Sequence, residues 1–237
     1  MKKLLSALLL VIFSTGLFAQ GVARFLQPNE APSSLQLLPP APMPNDAIFA
    51  YDYSQYLWGK LQRNTPRGQV AVSDSHLNED SLLKNFSPCF GLELSKAGTP
   101  ELARLIIGIS WTSDYCTKEA KEHYMRVRPF VLFEESSLTP WDEADLSKNG
   151  SYPSGHTTIG WAIALVLAEI NVERQNEIFK YGYEFGQSRV ICGVHYQSDV
   201  DAGRVLAAAY VARLHASDSF NEQLKKAKAE FNRLKKK

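Results

Sequence analysis

The sequence predicts an all-α fold in one domain. Three observations predict it. Beyond residue 45, apolar residues recur at helical spacing, and helix-start signals precede several of those runs. No alternating apolar–polar run is long enough for a useful strand. No internal repeat divides the chain, and its 237 residues suit one domain with a substantial core.

Residues 1–19 stand apart from that domain. "MKK" is a short positive region, "LLSALLLVIF" is apolar, and "STGLFAQ" supplies Ala19 as a small cleavage residue. A cleaved signal peptide and a periplasmic destination are expected. The alternative is an uncleaved anchor, but the apolar run is shorter than the ~20 residues that span a bilayer. Leu17 leaves the cut site open by a few residues. No cysteine follows the apolar run to carry a lipid.

Residues 20–45 form a proline-rich arm, with "LQLLPPAPMPND" near its end, and are expected to lie extended on the domain because Pro-Pro cannot sit inside a helix. The helical domain spans 46–237. Asp46 is expected to cap a helix that runs to about Gln62, and "NTPRG" breaks it. Short helices are expected at Gln69–Leu77 and Asp80–Lys84. Thr99-Pro100-Glu101 offers a hydroxyl cap, a proline at the first position and an acid in the first turn. The helix begun there should reach Val127, before Pro129, with or without a break. Helices at Gly155–Ile170, Glu173–Gln187, Ser198–His215 and Asn221–Leu234 complete the set.

The formal charge of +1 gives no general case for nucleic-acid binding. The basic tail "LKKAKAEFNRLKKK" suits a solvated helix end. After the leader, the longest apolar runs, Ile159–Ile170 and Val205–Leu214, are too short to cross a membrane, so no stable insertion of the mature chain is expected. Cys89, Cys116 and Cys192 allow one disulfide and one thiol, or three thiols.

Three segments carry the chemistry. In "KEHYMRVRP", Lys121 and Arg128 are seven residues apart, which on a helix returns nearly to the same face. That is either a charged helix surface or two cations converging on one anion, with Arg128 at the frayed end before Pro129. In "GSYPSGHT", Pro153-Ser154-Gly155 turns the chain into a helix whose first N–H groups attract an anion. Glycine lets a ligand approach the backbone, and His156 falls in the first turn. The plain alternative is a Ser-Gly cap beside an incidental histidine. A serine elbow needs glycine two before Ser154, and Tyr152 stands there. In "SRVICGVHYQSDVD", Asp199 follows His195 by four, which on a helical turn sets carboxylate against imidazole. That pair either fixes the tautomer of a reactive histidine or satisfies a core one. Arg189 adds a third cation.

Together the segments describe a pocket for a tetrahedral oxyanion: lysine, two arginines, helix-start amides and two histidines. Three cations would repel a divalent ion, and no carboxylate–histidine cluster has ligand spacing, so neither a metal nor another cofactor is expected.

In order, Lys121-x6-Arg128-Pro129, Pro153-Ser154-Gly155-His156 and Ser188-Arg189-x5-His195-x3-Asp199 resemble the three-part motif of the phosphatidic acid phosphatase type 2 superfamily. The flanks "GLELSKAGTPEL", "AKEHYMRVRPF", "LSKNGSYPSGHT", "GWAIALVLAEIN" and "SRVICGVHYQSDVDAGR" are similar to the class A bacterial non-specific acid phosphatases. The resemblance covers Leu37 to the C-terminus and departs at no motif position. It implies an all-helical bundle with the site between helices, acting on small phosphomonoesters, and a homo-oligomer. It implies His195 as nucleophile, Asp199 orienting it and His156 as general acid and base. Lys121, Arg128, Ser154, Gly155 and Arg189 would bind phosphate. His123 lies outside the motif and is expected at the rim or in a structural role.

Three rivals share parts of this pattern. A lipid phosphatase of the superfamily should show membrane spans. A vanadate-dependent haloperoxidase would use the same pocket for halide oxidation. A phosphate-binding protein would need no histidine poised for attack. The segment from Phe130 to Tyr152 joins two parts of the site, and its acidic "FEESSLTPWDEAD" would disfavour polyanionic substrates.

Overall fold

A computed structural model describes residues 24–236; the expected leader over 1–19 lies outside them. Among the described residues the regular structure is helical throughout and there is no strand. The chain runs α1 (Ser34–Leu37), α2 (Ala47–Gln62), α3 (Pro66–Ser75), α4 (Glu79–Phe90), α5 (Pro100–Tyr124), α6 (Pro129–Leu132), α7 (Glu143–Leu146), α8 (Gly155–Ile170), α9 (Gln175–Cys192), α10 (Gln197–Leu214) and α11 (Asp218–Lys235). Short 3-10 turns occupy Pro28–Glu30, Pro140–Asp142 and Val172–Arg174.

Helix α8 is the centre of the bundle. Its sequence is apolar on almost every face, the pattern of a helix enclosed on all sides, and α5, α9 and α10 pack around it. Ala162, Ile163, Ala164, Val166 and Leu167 are buried there. Two glycines set the close approach of α8 and α9. A Cβ on Gly160 would lie 2.2 Å from Phe185 Cδ1, and one on Gly182 would lie 2.3 Å from Ala164 Cβ. Burying a side chain such as Phe185 contributes about 1.5–3 kcal/mol, so this seam holds the start of α8 firmly against the last turns of α9. The consequence is functional. The end of α5, the start of α8, the end of α9 and the start of α10 meet in one region, and each carries a candidate site residue.

Several boundaries differ from expectation for identifiable reasons. Helix α4 continues to Phe90 through Pro88, where the burial of Phe86, Cys89 and Phe90 outweighs one lost ladder bond; it stops at Gly91, left-handed at φ 80°. Helix α5 is unbroken for 25 residues but ends at Tyr124, because Met125 turns left-handed at φ 40°. Thr99 does not cap it by its side chain; Glu230 of α11 does, accepting from the N–H groups of Glu101 and Leu102 at 3.0 and 2.9 Å. Helix α9 runs on to Cys192, since Val190, Ile191 and Cys192 are all buried. It stops at Gly193, left-handed at φ 77°.

Residues 24–46 include short helical turns and are not wholly extended. They lie on the bundle: Phe25 meets the edge of Phe220 at 5.4 Å, the Ala120 N–H donates to Ser34 Oγ at 3.1 Å, and Tyr152 donates to the Pro39 carbonyl at 2.9 Å. The basic tail is an amphipathic helix that buries Phe220, Leu224, Ala227 and Phe231. Cys89, Cys116 and Cys192 are buried free thiols, and burial pushes Cys89 and Cys116 up to about 12. No described helix is long and apolar enough to cross a membrane.

Candidate active site

Lys121 and Arg128 do converge, but not by helical spacing. Lys121 sits in the last turn of α5; Arg128 lies beyond the helix, in extended backbone just ahead of α6. The turn at Met125 folds the chain back, and both cations reach one carbonyl. Gly150 O accepts from Lys121 Nζ at 2.8 Å and from Arg128 Nη2 at 3.5 Å. Arg128 also donates to the carbonyls of Leu146, Asn149 and Val194. The Phe130–Tyr152 segment thus folds as a collar whose carbonyls hold the cations in place.

His195 and Asp199 are also brought together by a helix end rather than along a helix. His195 precedes Tyr196, the N-cap of α10, and Asp199 is the third residue of that helix. The Asp199 carboxylate caps the helix start, taking the Tyr196 N–H at 2.9 Å and facing His195 Nδ1 at 3.2 Å. On the other side of the ring, Arg128 Nη1 lies 3.1 Å from Nε2. A guanidinium only donates, so Nε2 carries the lone pair and Nδ1–H donates to Asp199.

The sequence reading missed what holds Asp199. Arg126 donates to Asp199 Oδ1 at 2.5 Å and to Asp52 Oδ2 at 2.8 Å, and its guanidinium lies 4.2 Å from the Tyr196 ring centre. Asp52, on α2, also accepts from the Ser198 backbone and hydroxyl, both at 2.7 Å. All three charged groups are buried. Burial alone would lower Arg126, but Asp199 and Asp52 beside it raise it overall. The available signal was "RVR": once the helix ends, extended backbone sends Arg126 and Arg128 to the same side. Asp52 had no such signal, since its partners lie far away in sequence.

At the start of α8, Ser154 Oγ accepts from the Thr157 N–H at 3.3 Å and its hydroxyl at 2.9 Å, which leaves its own proton to donate. The Ser154 N–H donates to the Asp199 carbonyl at 2.9 Å, tying α8 to α10. Gly155 faces Lys121: a Cβ there would lie 4.0 Å from Lys121 Cε. Helix geometry leaves the Gly155 and His156 N–H groups without intrahelical acceptors. His156 Nε2 donates to the Ser75 carbonyl at 3.0 Å, so Nδ1 is its free nitrogen.

Arg189, in the last turn of α9, is buried, and its Nε and Nη1 have no hydrogen-bond partner among the described residues. It shares with His156 a cleft of about 330 Å³ that is also lined by Ser75, His76, Asn78 and Asp142. Leaving buried guanidinium donors unmade costs free energy, which an anion would offset. His123 is exposed against Tyr124 at 4.7 Å, away from these groups.

The electrostatics are those of a buried cationic pocket. Burial, then Arg128, brings Lys121 down to about 7. Burial brings Arg128 down to about 10 and lowers Arg189. Both His195 and His156 are pushed well below the ordinary histidine value, first by burial and then by neighbouring cations, Arg128 for His195 and Arg189 for His156. Among the described residues, no three His, Cys, Asp or Glu side chains are grouped as metal ligands.

The fold is a helical bundle, and the site is a buried group of cations, Lys121, Arg128 and Arg189, with two histidines beside them. The PAP2 superfamily model matches residues 103–222, which hold every candidate site residue. Among similar proteins is a non-specific acid phosphatase of Providencia stuartii, 49% identical over 90% of this chain and 86% of its own. Another, from Salmonella typhimurium, is 43% identical over the same shares. An acid phosphatase of Zymomonas mobilis is 32% identical over 95% of this chain and 90% of its own. The chain belongs to the PAP2 superfamily, alongside these class A bacterial phosphatases.

Proposed function

We propose that the protein is an exported acid phosphatase that hydrolyses phosphomonoesters through a phosphohistidine on His195, without a metal. The observation that carries this reading is Arg189, a buried guanidinium with two unpartnered nitrogens in the same cleft as His156. The phosphatase names of the relatives and the leader at residues 1–19 support it.

In the cycle, Lys121, Arg128, Arg189, the Ser154 hydroxyl and the Gly155 and His156 N–H groups take the phosphate oxygens and stabilise charge on the transferring group. Arg128 Nη1 leaves the Nε2 lone pair for a phosphate oxygen. Nε2 then attacks phosphorus, and Asp199 stabilises the charge that develops on the ring. The bond from phosphorus to the ester oxygen breaks as His156 Nδ1–H gives that oxygen its proton. Neutral His156 next takes a proton from water, which attacks phosphorus; inorganic phosphate leaves and His195 regains its lone pair. An alcohol in place of water would yield phosphate transfer instead.

The pH dependence follows from the shifts. His195 must be neutral, and its lowered value keeps it so down to pH well below the ordinary histidine range. His156 must be protonated, and its lowered value in the free enzyme means that form is lost early as pH rises. Lys121, at about 7, loses its charge in the same direction. A bound phosphate dianion raises all three. The alkaline limb of kcat/KM, which reports free enzyme, should therefore lie at lower pH than that of kcat. Parallel profiles measured from pH 4 to 9 check this; coincident limbs would contradict it.

The basic test is hydrolysis of an aryl phosphate at pH 6 with excess EDTA. Turnover is expected; activity that vanished in EDTA and returned with one divalent ion would refute the metal-free mechanism.

A further inference from the structure

We propose that the cleft beside His156 is a leaving-group subsite for esters bearing a flat, uncharged aromatic ring, read by the parallel rings of His76 and Trp141. The inference rests on the phosphatase reading above and names the substrate class that reading leaves open.

The side of the pocket follows from the chemistry. In an in-line displacement the leaving oxygen departs opposite the nucleophile, and it must touch the group that protonates it. His156 is that group, and it lines the 330 Å³ cleft, while His195 does not. The remainder of the substrate therefore extends into this cleft. Its wall includes His76, one residue beyond the Ser75 carbonyl that holds His156 Nε2. The His76 and Trp141 rings lie within 9° of parallel, with centroids 6.2 Å apart, inside the range in which aromatic faces attract.

Trp141 is 57% exposed on a 3-10 turn. Its ring does not itself line the cleft, but it stacks on His76 and precedes Asp142, both of which do, so it offers an exposed aromatic face beside the cleft. The turn under it is fixed: the Leu138 N–H donates to the Cys192 carbonyl at 2.9 Å, and the Ser137 N–H to Glu143 Oε1 at 2.6 Å. A ring that stacks on this pair loses little more freedom than the ester has already lost by binding. Charge narrows the class. Asp142 and Asp145 also line the cleft, so a leaving group carrying further phosphates would meet two carboxylates.

The test compares phenyl phosphate, adenosine 5′-monophosphate and glycerol phosphate. For each protein the kcat/KM of either ring-bearing ester is divided by that of glycerol phosphate. Trp141→Ala is expected to lower at least one ratio by roughly three- to tenfold, and Trp141→Phe to restore it. The ester that loses more tells whether the ring is attached to the ester oxygen or a sugar away. Ratios unchanged in Trp141→Ala and in His76→Ala would overturn the inference. Binding gives a second readout without turnover. Phenylphosphonate should bind the wild type more tightly than methylphosphonate, and Trp141→Ala should remove the difference; equal affinities in the wild type would overturn the subsite. A wild type that bound the phosphonates with this preference but hydrolysed none of the esters would instead overturn the phosphatase reading.

Discussion

Replacing His195 by alanine is expected to reduce turnover by about ten-thousandfold or more and to abolish any covalent phosphoenzyme. The argument rests on the ring's two contacts. Nδ1–H is committed to Asp199 at 3.2 Å and Nε2 faces the cationic side at 3.1 Å from Arg128, so one nitrogen is held and the other is presented. His156 is not a substitute, because its one free nitrogen, Nδ1, is assigned to proton transfer and its Nε2 is held by the Ser75 carbonyl, and Ser154 Oγ is engaged by the Thr157 N–H and hydroxyl. His156→Ala should behave differently. It removes the proton donor, so its loss should be smallest on aryl esters, whose leaving groups need little protonation, and largest on alkyl esters. Equal losses across leaving groups would count against His156 as the acid. Steady-state rates on a series of esters measure both variants.

Arg126→Ala should cost about 3–5 kcal/mol of folding stability, a large effect from a residue outside the phosphate pocket. It leaves the buried carboxylates of Asp52 and Asp199 without the guanidinium that now bridges them at 2.8 and 2.5 Å. Urea unfolding of the wild type and the variant at neutral pH measures the deficit. A loss under 1 kcal/mol would contradict this account. Arg126 is a positioning group: it holds Asp199, which holds His195.

Much of this was legible in the sequence, and the failures have a common cause. Helix α8 could be read in full because its cap, its turn and its apolar run are consecutive. The candidate residues could be read because each occupies a short motif with its own chemistry. What misled was the supposition that motif spacing works through helices. Lys121 and Arg128 meet because the helix stops at Met125, and His195 meets Asp199 at the start of a helix that His195 does not enter. Both contacts depend on where helices end, which is the weakest part of a reading from periodicity. The same weakness cut α9 short and placed Arg189 outside a helix that contains it. Arg126 and Asp52 were missed because their partnership joins α2 to the end of α5 across the fold, and no local pattern records it. The Glu230 cap on α5 is another long-range substitution, standing where Thr99 was expected to serve.

The most direct measurement of the central claim is rapid quench of the enzyme during hydrolysis of a phosphorus-labelled aryl phosphate, followed by peptide mapping. The account predicts label on His195, stable in alkali and lost in acid as a phosphoramidate is, and none in His195→Ala. Burst-free turnover with no labelled protein, or label on any other residue, would contradict it.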